Sequence, residues 1–115
     1  MVRFRVLGPV DVFVDGAPVR LRPQERRLLA LLLCRPNRPV PTEDLVDELW
    51  NGSPPATART AIRVHVERTR AAMRGHGLSR LTSSEGGYRL VVEPGELDVE
   101  IVETAARLFD RVIVA

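Results

Sequence analysis

Between Leu28 and Leu33 five of six residues are leucine, and no other feature of the chain limits its fold as strongly. At about 100° per residue, leucines at 28, 29, 31, 32 and 33 occupy too much of a helix circumference to form one stripe against a single surface. A helix over residues 24–35, with Pro23 as its first helical residue, is therefore expected to be central and buried. With 115 residues the chain can build one core and at most an appendage.

The flanking segments supply the covering layers. Arg3-Phe4-Arg5-Val6-Leu7 and Val10-Asp11-Val12-Phe13-Val14 alternate in polarity, and Asp15-Gly16 turns into a third short strand over residues 17–21. After the break at Pro36-Asn37-Arg38-Pro39, Thr42 looks like an N-cap, with Glu43 and Asp44 in the first turn of a second helix whose inner stripe is Leu45, Val46, Leu49 and Trp50. Asn51-Gly52 ends it, Ser53-Pro54-Pro55 makes a tight turn, and a third helix is expected over about residues 56–74. Residues 80–83 and 88–92, joined at Glu85-Gly86-Gly87, read as a β-hairpin. The expected class is α+β, a winged helix-turn-helix with an amino-terminal antiparallel sheet, three helices and a hairpin wing over residues 1–94. A further amphipathic helix is expected over residues 95–115.

Charge is distributed unevenly along this plan. Residues 1–92 hold 15 arginines against 9 acids, and residues 93–115 hold 2 against 6; residues 53–92 alone carry seven arginines and two acids. Positive potential thus concentrates on the third helix and the hairpin, where a polyanion would dock. On a wheel starting at Thr57, Ala58, Ala61, Ile62, His65, Val66, Thr69, Ala72 and Met73 fall between about 40° and 180° and face the core. Arg59, Arg70, Arg63 and Arg74 fall between about 200° and 260°, one exposed ridge, with Glu67 beside them. A helix of this kind fits the DNA major groove, where arginine forks can bond guanine and flanking arginines can hold phosphates. The bland alternative is a solvated helix whose charges only keep it wet; its place between a turn and a hairpin argues against that. Arg63 and Glu67 could also pair with each other.

The ordered set Leu45-Val46-Asp47-Glu48-Leu49-Trp50, Pro54-Pro55-Ala56-Thr57-Ala58, Val64-His65-Val66-Glu67-Arg68-Thr69-Arg70 and Gly87-Tyr88-Arg89-Leu90, with the opening Arg3-Phe4-Arg5-Val6-Leu7-Gly8-Pro9, resembles the DNA-binding domain of the Streptomyces antibiotic regulatory proteins, an OmpR/PhoB-type winged helix. The resemblance implies a sequence-specific activator of secondary-metabolite genes that binds direct repeats in duplex DNA, as a possible homodimer, and contacts RNA polymerase and its sigma factor. It carries base reading to Arg59, Arg63, Val64, Glu67 and Arg68, with Thr60 and Arg70 nearer the backbone; Arg74 on the ridge and Arg89 in the wing complete the candidate DNA contacts. The loop Asn51, Gly52, Ser53, Pro54 is the candidate polymerase contact. Glu96-Leu97-Asp98-Val99-Glu100 resembles the start of a helical activation domain, which implies a longer native regulator. Three positions depart from the family: Thr69 replaces a usual leucine, at an expected cost of about 1–2 kcal/mol; Ser84 replaces a wing arginine; Glu67 puts an acid on the DNA face.

Other classes find less support. His65 faces the core and His76 sits between glycines, so no catalytic or metal-ligand spacing arises and neither enzyme activity nor cofactor is expected. Cys34 reads as a small core residue, and without a secretory signal or an apolar span of about 20 residues the expected address is the bacterial cytoplasm, at the nucleoid, with no membrane partner. The rival reading is a winged helix turned protein-interaction module, using the acidic second helix or the last helix.

Overall fold

The computed structural model describes residues 1–99, so the expected helix beyond Val99 lies outside the described residues. Strands β1 (Val2–Arg5), β2 (Asp11–Val14) and β3 (Ala17–Pro18) form an antiparallel sheet in the order β1-β2-β3. Its register pairs Phe4 with Val12; alternation sends these two residues into the core, both at 0% exposure. Helix α1 (Pro23–Leu33) starts at the expected proline. Its buried side is Glu25, Leu28, Leu29, Leu32 and Leu33, while Leu31 is half-buried, so the leucine cluster does sit centrally. Cys34 corrects the sequence reading: it is the C-cap of α1, lies off the buried stripe, and is exposed.

The chain then makes a strand that pattern reading missed. Asn37, at φ 65°, receives a hydrogen bond from Val92 N–H at 2.8 Å, donates its amide to Val92 O at 2.9 Å, and donates its own N–H to Leu90 O at 2.9 Å. This stitch aligns β4 (Val40–Pro41) with β6 (Gly87–Leu90), and β6 pairs in turn with β5 (Leu81–Ser84), giving the order β4-β6-β5. Two residues, one of them a proline and the pair preceded by another, carry too little alternation to announce a strand. Because Pro41 belongs to β4, helix α2 (Thr42–Leu49) begins immediately after it. Thr42 is therefore the first helical residue and not the cap; its N–H is satisfied by Gly86 O at 2.9 Å.

Helix α3 (Ala58–Arg74) buries Ala58, Ile62, Val66, Thr69 and Met73, the side expected from the wheel. The connection from α2 is longer than the tight turn expected, an exposed loop over residues 51–57. Gly86, at φ 69°, carries the wing turn, and Gly87 has a different duty: a Cβ there would lie 2.0 Å from Val40 O and 2.8 Å from Pro41 Cα. Only glycine lets β4 approach β6 so closely. Phe4, Val12, Val19, the α1 leucines, the inner faces of α2 and α3, and Leu81, Leu90 and Leu97 form one continuous core.

Past the wing the chain returns to the first sheet. Phe4 N–H donates to Glu96 O at 2.7 Å, Leu97 bridges to Phe4, and the Asp98 carboxylate accepts Val6 N–H at 2.8 Å and Leu7 N–H at 3.0 Å. The outer edge of β1 is thereby covered. Glu96 also takes a forked pair from Arg80 at 2.6 and 2.8 Å, and the N–H of Glu93 at 2.7 Å. Burial works against the charged Glu96 carboxyl, but the bonds from Arg80 and Glu93 outweigh it and hold the group below its ordinary value. The same bond raises Arg80 further above its already high value.

Candidate nucleic-acid interface

The outward side of α3 comprises Arg59, Thr60, Arg63, Val64, Glu67, Arg68, Ala71 and Arg74, all exposed. They lie opposite the buried stripe, which the sheets, α1 and α2 hold against the core, so the strip projects from the body. Val64 is a large apolar residue at 40% exposure in its middle.

The arginine ridge divides by partner. Arg59 forms an ion pair with Glu43 at the start of α2. Arg70, expected on the exposed ridge, has a side chain only 20% exposed. Its Nε donates to Leu81 O at 3.0 Å, Nη2 to Ser83 Oγ at 2.8 Å and Nη1 to Glu67 Oε1 at 2.7 Å, and its guanidinium lies 5.8 Å from the centre of the Tyr88 ring. The wheel put Arg70 next to the buried arc, but only the folded hairpin fills the space over it. Glu67 therefore pairs with Arg70, not with Arg63. Among the described residues Arg63, Arg68 and Arg74 have neither an ion pair nor a side-chain hydrogen bond. Arg68, which the ridge omitted, belongs with them: at about 20° it borders Val64 from the side opposite Arg63.

Thr69 is fully buried, and its hydroxyl donates to His65 O at 2.8 Å one turn back. The departure from leucine thus leaves no unsatisfied polar group, only less apolar contact. His65 faces the core as expected, with Nδ1 3.7 Å from Oε2 of Glu25, and neither of these buried atoms has a hydrogen-bond partner. Sequence reasoning gave no sign of that buried carboxylate, because Glu25 reads as an ordinary first-turn acid. Asn51, Gly52, Ser53 and Pro54 lie together in the exposed α2–α3 loop, with Asn51 at φ 51° and Gly52 at φ 80°. Arg89 is exposed on β6 and Ser84 is half-buried beside the wing turn. No described helix is long and apolar enough to cross a membrane.

Comparison with known proteins gives this arrangement its context. A family model described as transcriptional regulatory protein, C terminal, matches residues 16–90. The regulatory protein AfsR of Streptomyces coelicolor is 41% identical over 112 residues, covering 96% of this chain and 11% of AfsR. The transcriptional regulatory protein EmbR of Mycobacterium tuberculosis is 35% identical over 100 residues, covering 84% of this chain and 26% of EmbR. The solved structure of EmbR in complex with a low affinity phosphopeptide superposes with a TM-score of 0.80 at 34% identity, covering 86% of this chain and 27% of that one. The DNA binding domain of response regulator AdeR, solved in complex with an intercistronic region, shares the fold at a TM-score of 0.63 and 16% identity, covering 80% of this chain and 95% of that one. The chain therefore spans about a quarter of EmbR and about a tenth of AfsR. By name EmbR is a transcriptional regulatory protein and AfsR a regulatory protein. The chain belongs to the transcriptional regulatory protein C-terminal family, as an OmpR/PhoB-type winged-helix DNA-binding domain of the Streptomyces antibiotic regulatory protein group.

Proposed function

We propose that this chain binds duplex DNA sequence-specifically by laying α3 in the major groove. The observation that carries the reading is the strip on which Arg63, Arg68 and Arg74, free of acids among the described residues, flank the exposed Val64. Arg63 and Arg68 are spaced to bond guanine edges, Val64 to meet a thymine methyl, and Thr60, Arg74 and Arg89 to hold phosphates. Arg59 joins them on release from Glu43. Glu67 and Arg70 act together: the acid occupies one fork of the arginine while the other donors hold the wing. At the level of the whole regulator, we propose activation of secondary-metabolite genes from direct repeats, with copies paired on DNA and the Asn51–Pro54 loop turned to RNA polymerase and its sigma factor. The loop's exposure supports that role.

Titration of the full chain with a duplex enriched from random sequence, and with an unrelated duplex, tests the reading. Both affinities should fall steeply with salt as counterions are released. Arg63→Ala should weaken the enriched site by about 1–3 kcal/mol and relax preference at one base pair. Salt-insensitive binding, or none, would favour the protein-interaction module.

A further inference from the structure

A second group of acid-free arginines lies on the opposite border of the reading strip. After β3 the chain is extended, with Val19 buried, Leu21 half-buried, and Arg20 and Arg22 exposed. Residues two apart in extended chain share a side, so both guanidiniums stand on one face just before α1. They line a groove of about 240 Å³ together with Arg68 and Ala71 of α3. Ala71 and Val64 fall within about 20° of each other on the wheel, at about 320° and 340°, and Arg68 follows at about 20°. The groove therefore opens directly off the strip that carries Val64.

Its charge is unbalanced. Glu25 is the one carboxylate lining it, and that residue is 3% exposed, buried toward His65. Among the described residues Arg20, Arg22 and Arg68 have no ion pair and no side-chain hydrogen bond, whereas Arg5 and Arg26 face Asp11, Arg35 faces Asp44, Arg59 faces Glu43 and Arg80 faces Glu96. Three exposed cations around one groove repel each other unless an anion joins them.

We propose that Arg20 and Arg22, beside the base-reading Arg68, form a second backbone-holding patch that grips phosphates of the duplex read by α3, so that the DNA is held on both borders of the strip. This rests on the DNA-binding reading above. A polyanion with regularly spaced phosphates, continuous with the duplex in the adjoining strip, is the occupant that the patch fits, and Arg20 and Arg22 act on all sequences alike because they touch no base.

The test is the double variant R20Q/R22Q in the full chain, titrated with the enriched and the unrelated duplex across a salt series. Urea unfolding should match the parent, since both side chains are exposed. The expected result is weaker binding by roughly tenfold or more at about 0.1 M salt, equal for both duplexes, and a slope of log affinity against log salt reduced by about 1.8, two phosphates' worth. An unchanged slope and affinity in the variant, with the parent still binding, would overturn the patch while leaving α3 as the reader, and would leave the groove to an acidic peptide. Absence of salt-dependent binding by the parent would instead overturn the DNA-binding reading itself.

Discussion

Replacing Arg70 with alanine separates a structural arginine from a DNA-contacting one. The parent side chain bonds Leu81 O, Ser83 Oγ and Glu67 Oε1 and lies against Tyr88. The bond to Leu81 O, on a buried residue, is worth about 1–1.5 kcal/mol and the more exposed Ser83 bond about 0.5–1. Glu67 is 56% exposed, so its pair adds only about 0–0.5 kcal/mol, and the ring contact about 0.5. The total is about 2–3.5 kcal/mol, and all of it except the small Glu67 share lies between α3 and the β5–β6 hairpin. For a domain of this size each kcal/mol moves the melting temperature by about 4–8 °C, so R70A should melt roughly 8–28 °C lower, followed by circular dichroism. Because Glu67 already balances the Arg70 charge, the salt slope of DNA binding should stay near that of the parent, while R74A, which removes a phosphate contact, should lose about 0.9. A melting temperature within about 2 °C of the parent, with a slope lowered by about 0.9, would refute the argument and return Arg70 to the phosphate contacts.

Gly87→Ala should destabilise the domain by more than about 3 kcal/mol, because the new Cβ meets the backbone of Val40 and Pro41, which cannot yield as a side chain can; urea unfolding at parental stability would show that β4 and β6 do not approach as described. Glu96→Gln should cost about 2–3 kcal/mol at neutral pH, less than a fully buried pair would, by leaving Arg80 with a neutral partner. Since the folded-state carboxyl of Glu96 is held below its ordinary value, its contribution is complete above about pH 4.3 and is lost as pH falls through the lower folded value. The gap between parent and E96Q should therefore narrow in acid, and a gap that is constant from neutral pH to pH 3 would count against the pairing.

The elements that the sequence announced are those whose signals are local. The leucine cluster, Pro23, Asn51-Gly52 and the Glu85-Gly86 turn each act within a few residues, and periodicity alone separated the buried side of α3 from its outer side. The inward side of α3 could be read from spacing because every third or fourth residue must face the same way. Partners could not be read so, because Arg70 to Leu81, Arg59 to Glu43, Arg80 to Glu96 and Asn37 to Val92 join residues that are distant in the chain. Arginines equivalent on a wheel became struts or free cations according to what the hairpin and α2 brought beside them. The two-residue strand β4, the exposure of Cys34 and the burial of Glu25 were decided in the same way, by packing between segments whose own patterns are silent about it. Sequence thus determined which surfaces turn inward, through periodicity and turn chemistry; tertiary structure alone decided which charges remain free to meet a ligand, because Coulomb attraction and hydrogen bonding depend on distance in space and not along the chain.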